Sequence, residues 1–146
     1  MTTAQTVFDI AMSLMDEVVN GLTDTGDTKE YKDRTLLILN ALAGELYPYS
    51  DTFAIAEEGK RPIVTPITNF TDGIALDDYI CKSVMPYGLA SHLLLDENPA
   101  SASFFEQRYE ELRNKLARGL PTSSADVVDV YFGNNGSYEF DWIPRW

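Results

Sequence analysis

Three features mark this chain as mainly α, a helical bundle of about four helices. Apolar residues recur at steps of three and four in separate runs, the repeat of a helix with one buried side. Capping side chains, prolines and glycines fall at the edges of those runs. The stretches that read as strand are short and broken by proline or turn residues. The third helix contains Pro86 and is expected to kink there. A long irregular or extended insertion and a short C-terminal β-hairpin or arm complete the plan. At 146 residues, 45% of them hydrophobic, the chain suits one domain with a core of its own. Within that single domain (1–146), residues 1–47 form a helical pair, 48–75 an extended insertion, 76–120 a helical hairpin and 121–146 an aromatic tail.

The first helix is expected over 3–20. Ala4, Val7, Phe8, Ala11, Leu14, Met15, Val18 and Leu22 share one face, with Thr3 as cap and Gly21 as terminator. Ile10, Met12 and Val19 lie off its centre; they widen the face or meet a neighbouring subunit. A polar turn follows. Asp27-Thr28-Lys29-Glu30 then has the spacing of a capping box. The second helix runs to about Tyr47, with Tyr31, Thr35, Ile38, Leu39, Leu42 and Leu46 inward and Pro48 as its stop. A short connection should make the two an antiparallel pair.

Residues 48–75 break the helical repeat. Ile63-Val64-Thr65-Pro66-Ile67 is β-branched but holds a proline, so it suits an edge strand or an extended arm. The segment either wraps its own core or adds to a neighbouring subunit by strand pairing.

The hairpin is the clearest part. Leu76, Ile80, Val84, Tyr87, Ala90 and Leu94 line its first helix. Pro86 removes a backbone donor, so either a kink or two helical pieces are expected, with Pro86 near the start of the second. The bend fits the helix around a core or sets a surface for a partner. Asn98 caps the next helix and Pro99 sits at its first position. Ala102, Phe105, Tyr109, Leu112 and Leu116 form its buried stripe. Gly119 is expected to supply a left-handed stop before Pro121.

In the tail, Val127, Val128, Val130 and Tyr131 read as a short strand and Gly133-Asn134-Asn135-Gly136 as a turn. Tyr138, Phe140 and Trp142 alternate with Glu139 and Asp141, a period-two pattern that predicts a hairpin. Trp142 and Trp146 are large enough to cover the domain's own core or to dock on a partner; a disordered arm is the remaining reading.

The run Met85-Pro86-Tyr87-Gly88-Leu89-Ala90, then Leu93-Leu94-Leu95, Asp96-Glu97-Asn98-Pro99 and Phe105-Glu106-Gln107-Arg108-Tyr109-Glu110-Glu111-Leu112 resembles the helical head–tail connector (adaptor) proteins of tailed bacteriophages. Asp129-Val130-Tyr131 is similar to the end of such proteins. These are packing motifs and carry no chemistry. The resemblance implies a structural connector subunit of a phage or prophage particle. Such a subunit is made in the bacterial cytoplasm and resides in the virion. It assembles as a ring homo-oligomer, monomeric or not beforehand, docks to portal or tail-completion proteins, and lets DNA pass without specific binding. The hairpin would be its rigid frame. The contacts are expected from the irregular segment and the tail, at Phe53, Ile55, Ile63, Val64, Ile67, Phe70, Tyr131, Phe132, Tyr138, Phe140, Trp142 and Trp146. The alternative is a cytoplasmic helical interaction module that binds a partner through the tail.

Charge agrees with weak nucleic-acid affinity. The net charge is −12, and residues 1–59 hold 11 acidic and 3 basic side chains, a surface that repels phosphate. No apolar run is long enough to span a membrane, and the first residues lack the basic start and long apolar core of a signal peptide. The single cysteine excludes an intramolecular disulfide.

Chemistry is hard to find. His92, the sole histidine, has Asp96 four residues on, a spacing for a helix-end ion pair rather than a metal site. Cys81 has no histidine beside it and reads as a buried, inert thiol. Asp77 and Asp78 suit the first turn of a helix. No phosphate-loop, dinucleotide, zinc-protease or serine-hydrolase motif occurs. A small hydrolase around Asp77, Asp78 and His92 is the weakest reading. The chain is expected not to be an enzyme and to have no catalytic residues, no cofactor and no metal.

Overall fold

The computed structural model describes residues 1–15, 26–53 and 63–119. The far end of the first helix with Val19 and Gly21, the strand pairing expected of 127–142 and the rest of the aromatic tail lie outside the described residues. Among the described residues the protein is mainly helical and has no strand, only an isolated bridge between Thr3 and Gly73. The helices are α1 (Ala4–Leu14), α2 (Gly26–Leu46), α3 (Asp78–Ser83), α4 (Met85–Leu93) and α5 (Pro99–Arg118), with a 3-10 turn at Tyr47–Tyr49.

Each helix begins and ends for a local reason. Thr3 caps α1, its Oγ1 accepting the Thr6 N–H at 3.3 Å. The first free donors of α1 find partners in the irregular segment: Ala4 N–H donates to Asp72 O at 3.1 Å and Gln5 N–H to Phe70 O at 2.9 Å. Ala4, Val7, Phe8 and Ala11 are buried, and Met12 joins them, so that residue widens the face inward.

Helix α2 is already under way at Gly26. Asp27 therefore lies within the helix and not at its cap. Tyr31, Thr35, Leu39, Leu42, Ala43 and Leu46 are buried; the hydroxyl of Thr35 is satisfied by Tyr31 O at 2.7 Å. Pro48 ends the helix inside the 3-10 turn.

Of the two forms expected around Pro86, a kink or two helical pieces, the second is present. Helices α3 and α4 meet at Val84 (φ −114°, ψ −57°), and Pro86 stands in the first turn of α4, where no helical donor is required of it. Asn98 caps α5, its Oδ1 accepting the Ser101 N–H at 3.1 Å. Ala102, Phe105, Tyr109 and Leu112 are buried as expected. Gly119 departs from expectation. Its backbone is extended (φ −63°, ψ 134°), not left-handed, and its N–H turns back to Lys115 O and Leu116 O, both at 3.0 Å. Two of the last carbonyls of α5 are thus met without using the freedom of glycine.

The packing centre is α4. Met85, Pro86, Gly88, Leu89, Ala90, Ser91 and Leu93 are all buried, so this helix is enclosed on nearly every side. Among the described residues it packs on α1, α2 and α5 more extensively than α1 packs on α2. Gly88 makes that approach possible: a Cβ there would sit 3.0 Å from Leu42 Cδ2 and from Tyr109 ring carbons.

Side-chain ties fix the directions. Gly88 lies against Tyr109 and, three residues on, Ser91 Oγ donates to Glu106 at 2.8 Å, so α4 and α5 are antiparallel. Tyr31 OH donates to Glu97 at 2.5 Å near the start of α2, while Tyr109 OH at 3.0 Å and Arg113 donate to Glu45 near its end. Helices α2 and α5 therefore run parallel, and their C-termini share one end of the bundle.

Candidate protein interface

The irregular segment is held to the bundle by side chains that take the place of a sheet ladder. Asn40, half-buried on α2, accepts the Ile67 N–H through Oδ1 at 2.8 Å. Its Nδ2 donates to Ile67 O and Leu36 O, both at 2.8 Å. Ile67 is consequently 4% exposed and belongs to the chain's own core. Val64 packs on that core half-buried, and Phe70 meets Phe8 edge-on with centroids 5.6 Å apart. Asp72 folds the next turn by accepting from Thr68 N–H, Thr68 Oγ1 and Asn69 N–H at 2.8 Å each. Those donors, Thr68 first, hold its carboxyl below the ordinary 3.8. From Val64 to Ile74 the segment covers α1 and α2, as a loop wrapping its own core would. No strand forms over 63–68.

The other side of the insertion faces outward. Asp77 accepts from Asp51 N–H at 2.8 Å and from Ser50 Oγ at 3.1 Å, and Thr52 Oγ1 donates to Ala75 O at 2.8 Å. This clasp locks the turn at 47–53 against the start of α3. Tyr47 and Phe53 meet edge-on at 5.4 Å. Tyr49 is 39% exposed, Phe53 38% and Tyr79, two residues beyond Asp77, 56%. Exposed aromatic side chains thus stand on both of the elements that the clasp joins, together with the exposed Asp51 and Asp78.

Of the residues expected to make contacts, Phe53 is one of these exposed rings and Ile63 is 91% exposed. Val64, Ile67 and Phe70 pack inward as described. Ile55, Tyr131, Phe132, Tyr138, Phe140, Trp142 and Trp146 lie outside the described residues. Tyr49 and Tyr79 were not foreseen. The signal for Tyr79 is an aromatic out of phase with the stripe of Leu76 and Ile80. Phe104 (64% exposed) and Leu37 (76%) break phase in the same way, on other faces.

The polar residues singled out for chemistry have structural partners. Asp96 pairs with Arg34 of α2 at 3.9 Å, and Arg34 also donates to the His92 carbonyl at 3.3 Å. Asp96 thus has a cation from the neighbouring helix within reach, whereas the contact of Arg34 with His92 is to the main chain. Asp78 accepts from Thr2 Oγ1 at 2.7 Å and Lys82 Nζ at 3.1 Å, which hold its carboxyl below 3.8, the Thr2 bond contributing most. Cys81 is fully buried. Burial first, then the negative charges of Asp78 and Asp77, push its thiol up to about 11. Among the described residues no three His, Cys, Asp or Glu side chains are grouped to hold a metal ion, and no helix is long and apolar enough to cross a membrane. No family model, no curated protein and no solved structure matches this chain.

Proposed function

We propose that this chain is a structural subunit that works through protein–protein contact, as a head–tail connector (adaptor) of a phage or prophage particle. It would assemble as a ring, dock to portal or tail-completion proteins, and let DNA pass without specific binding. Catalysis, a cofactor and membrane contact have no part in the reading. The observation that carries it is the exposure of Tyr49, Phe53 and Tyr79 on two elements that a hydrogen-bonded clasp holds together. Exposed rings on a rigid support lose little conformational freedom when a partner covers them. The connector assignment adds to this the sequence resemblance of the hairpin. The charge of −12 supports a DNA path without adhesion, since acidic side chains repel phosphate.

The test is quantitative mass spectrometry of density-purified particles from cells with an induced prophage. Co-purification at a small fixed ratio to the portal protein is expected. If the chain stays in the soluble fraction while capsid proteins sediment, the connector reading is wrong. The cytoplasmic interaction module then takes its place.

A further inference from the structure

Helix α5 has an outer side of unusual chemistry. Phe104, Arg108, Glu111, Lys115 and Arg118 follow at steps of four and three, so they share one side of the helix. Arg113, about two and a half turns beyond Phe104, points the other way, to Glu45 of α2. The Phe104 side is therefore turned away from α2. Phe104 is 64% exposed, and Glu111, Lys115 and Arg118 are exposed with it. Its ring is braced: Phe104 meets Phe105 edge-on with centroids 5.5 Å apart, and Phe105 meets Tyr87 of α4 at 6.3 Å. Arg108 is held by Glu111 at 3.0 Å and lies near Tyr87. Contacts thus join Phe104, Phe105, Tyr87 and Arg108 into one surface.

This side is basic in an acidic protein. It carries three bases and one acid, in a chain of net charge −12. The one acid, Glu111, is engaged by Arg108 and by Gln107. Neighbouring acids face elsewhere. Asp96 and Glu97 meet Arg34 and Tyr31 of α2, Glu106 meets Ser91 of α4, and Glu110 lies about a third of a turn off this side. Among the described residues Lys115 and Arg118 have no ion-pair partner. The helix dipole favours bases at 115 and 118, near the end of α5, but it accounts neither for the exposed ring of Phe104 nor for Arg108 in the middle of the helix. An aromatic anchor beside arginine is the make-up of a binding hot spot.

A nucleic acid is a poor occupant. From Phe104 to Arg118 the helix rises about 21 Å, whereas duplex DNA carries a charge about every 1.7 Å of its length and would run on over the acidic remainder of the protein. A short acidic protein segment meets the basic side alone, and at physiological salt a screening length of about 8 Å hides it from more distant acids. Arg108 can serve both Glu111 and a partner, since a guanidinium has five N–H donors. We infer that this side of α5 docks an acidic amphipathic segment of a partner protein, with apolar side chains against Phe104 and carboxylates against Arg108, Lys115 and Arg118. The inference uses neither the clasp residues nor the particle assignment, so it is tested apart from them.

The probe is a synthetic helical peptide of about 16 residues, glutamate-rich with leucine at every third or fourth position. Its binding to the full chain is followed by amide shifts in two-dimensional NMR. Saturable binding below about 1 mM is expected, with the shifts centred on residues 101–118 and weakening as sodium chloride is raised. Phe104→Ala should weaken binding about ten-fold or more, and so should Lys115→Gln with Arg118→Gln, which removes the charges without adding repulsion at the helix end. Leu37→Ala, an exposed apolar residue on α2, should leave it unchanged. Circular dichroism checks that each variant retains its helices. Absence of binding up to about 1 mM overturns the inference, as does binding that both α5 variants leave unchanged. Equal binding of a leucine-free glutamate peptide overturns the role of Phe104. Tighter binding of a single-stranded oligonucleotide at the same residues overturns the choice of a protein partner. Concentration-dependent shifts of 101–118 in the chain alone, alongside a dimer mass by light scattering, overturn it in favour of a second copy.

Discussion

Two residues show how much of this fold depends on single polar or buried groups. Asn40 meets both backbone groups of Ile67, and only one orientation of its amide serves an N–H and two carbonyls at once. Asn40→Asp keeps the acceptor but sets a carboxylate oxygen against Leu36 O and Ile67 O. An unsatisfied buried polar group costs about 1–3 kcal/mol; at this half-buried site we expect about 1–2 kcal/mol in urea unfolding. A loss under about 0.5 kcal/mol would show that the segment is held by Ile67 packing alone. Cys81 makes a pH-dependent contribution. Its thiol is raised from an ordinary 9.0 to about 11. Above pH 9 the unfolded chain releases this proton while the folded chain keeps it, so stability falls as pH rises from 9 through 11. Tyrosines titrate nearby, so the wild type is compared with Cys81→Ala: the variant should lose part of the alkaline slope. Equal slopes would place the thiol in contact with solvent.

At the scale of elements, glycine separates local preference from packing. Gly44 and Gly88 both lie in helices, where alanine is favoured by about 1 kcal/mol. A Cβ at Gly44 meets nothing within 4 Å, so Gly44→Ala should stabilise by about 0.5–1 kcal/mol. At Gly88 it would press on Leu42 and on the stiff ring of Tyr109, where overpacking costs about 1–3 kcal/mol. Gly88→Ala should therefore destabilise, by up to about 2 kcal/mol. Thermal melts of both variants check the opposite signs; stabilisation by Gly88→Ala would mean that α4 is not the tight crossing point. The same contrast explains what the sequence could reveal. The Thr3 and Asn98 caps, the stop at Pro48 and the break at Pro86 were legible because their causes lie within a few residues. The role of Asn40 and the clasp of Ser50 on Asp77 were not, since each joins positions 27 apart. Nor was the central place of α4, because reading one apolar face hides a helix buried on several. Of the candidate interface, Phe53 was named as a contact residue and is exposed, whereas Tyr49 and Tyr79 gain their setting only through that distant clasp.

At the scale of the whole molecule, 23 acidic residues face 11 basic ones, and two electrostatic effects oppose each other. Local ion pairs favour the fold and weaken in salt. Net repulsion opposes it and also weakens in salt. The pairs are partly or largely exposed: Arg34–Asp96 at 35% and 81%, Lys82–Asp78 at 50% and 54%, Arg113–Glu45 at 30% and 41%. Each contributes about 0–1 kcal/mol, and the close contacts within them are the least screened. Repulsion acts over the whole bundle, where α2 alone, at 21 residues, is about 31 Å long. At 10 mM salt the screening length is about 30 Å, so charges at opposite ends still repel; at 150 mM it is about 8 Å. Repulsion therefore changes more than attraction, and the melting temperature should rise between 10 and 150 mM sodium chloride. Asp51→Lys, which changes the net charge by two units, should shrink that rise. A melting temperature that falls with salt would mean that the ion pairs outweigh the net charge, and would move the balance of stability to the ties of Glu45, Asp78 and Asp96.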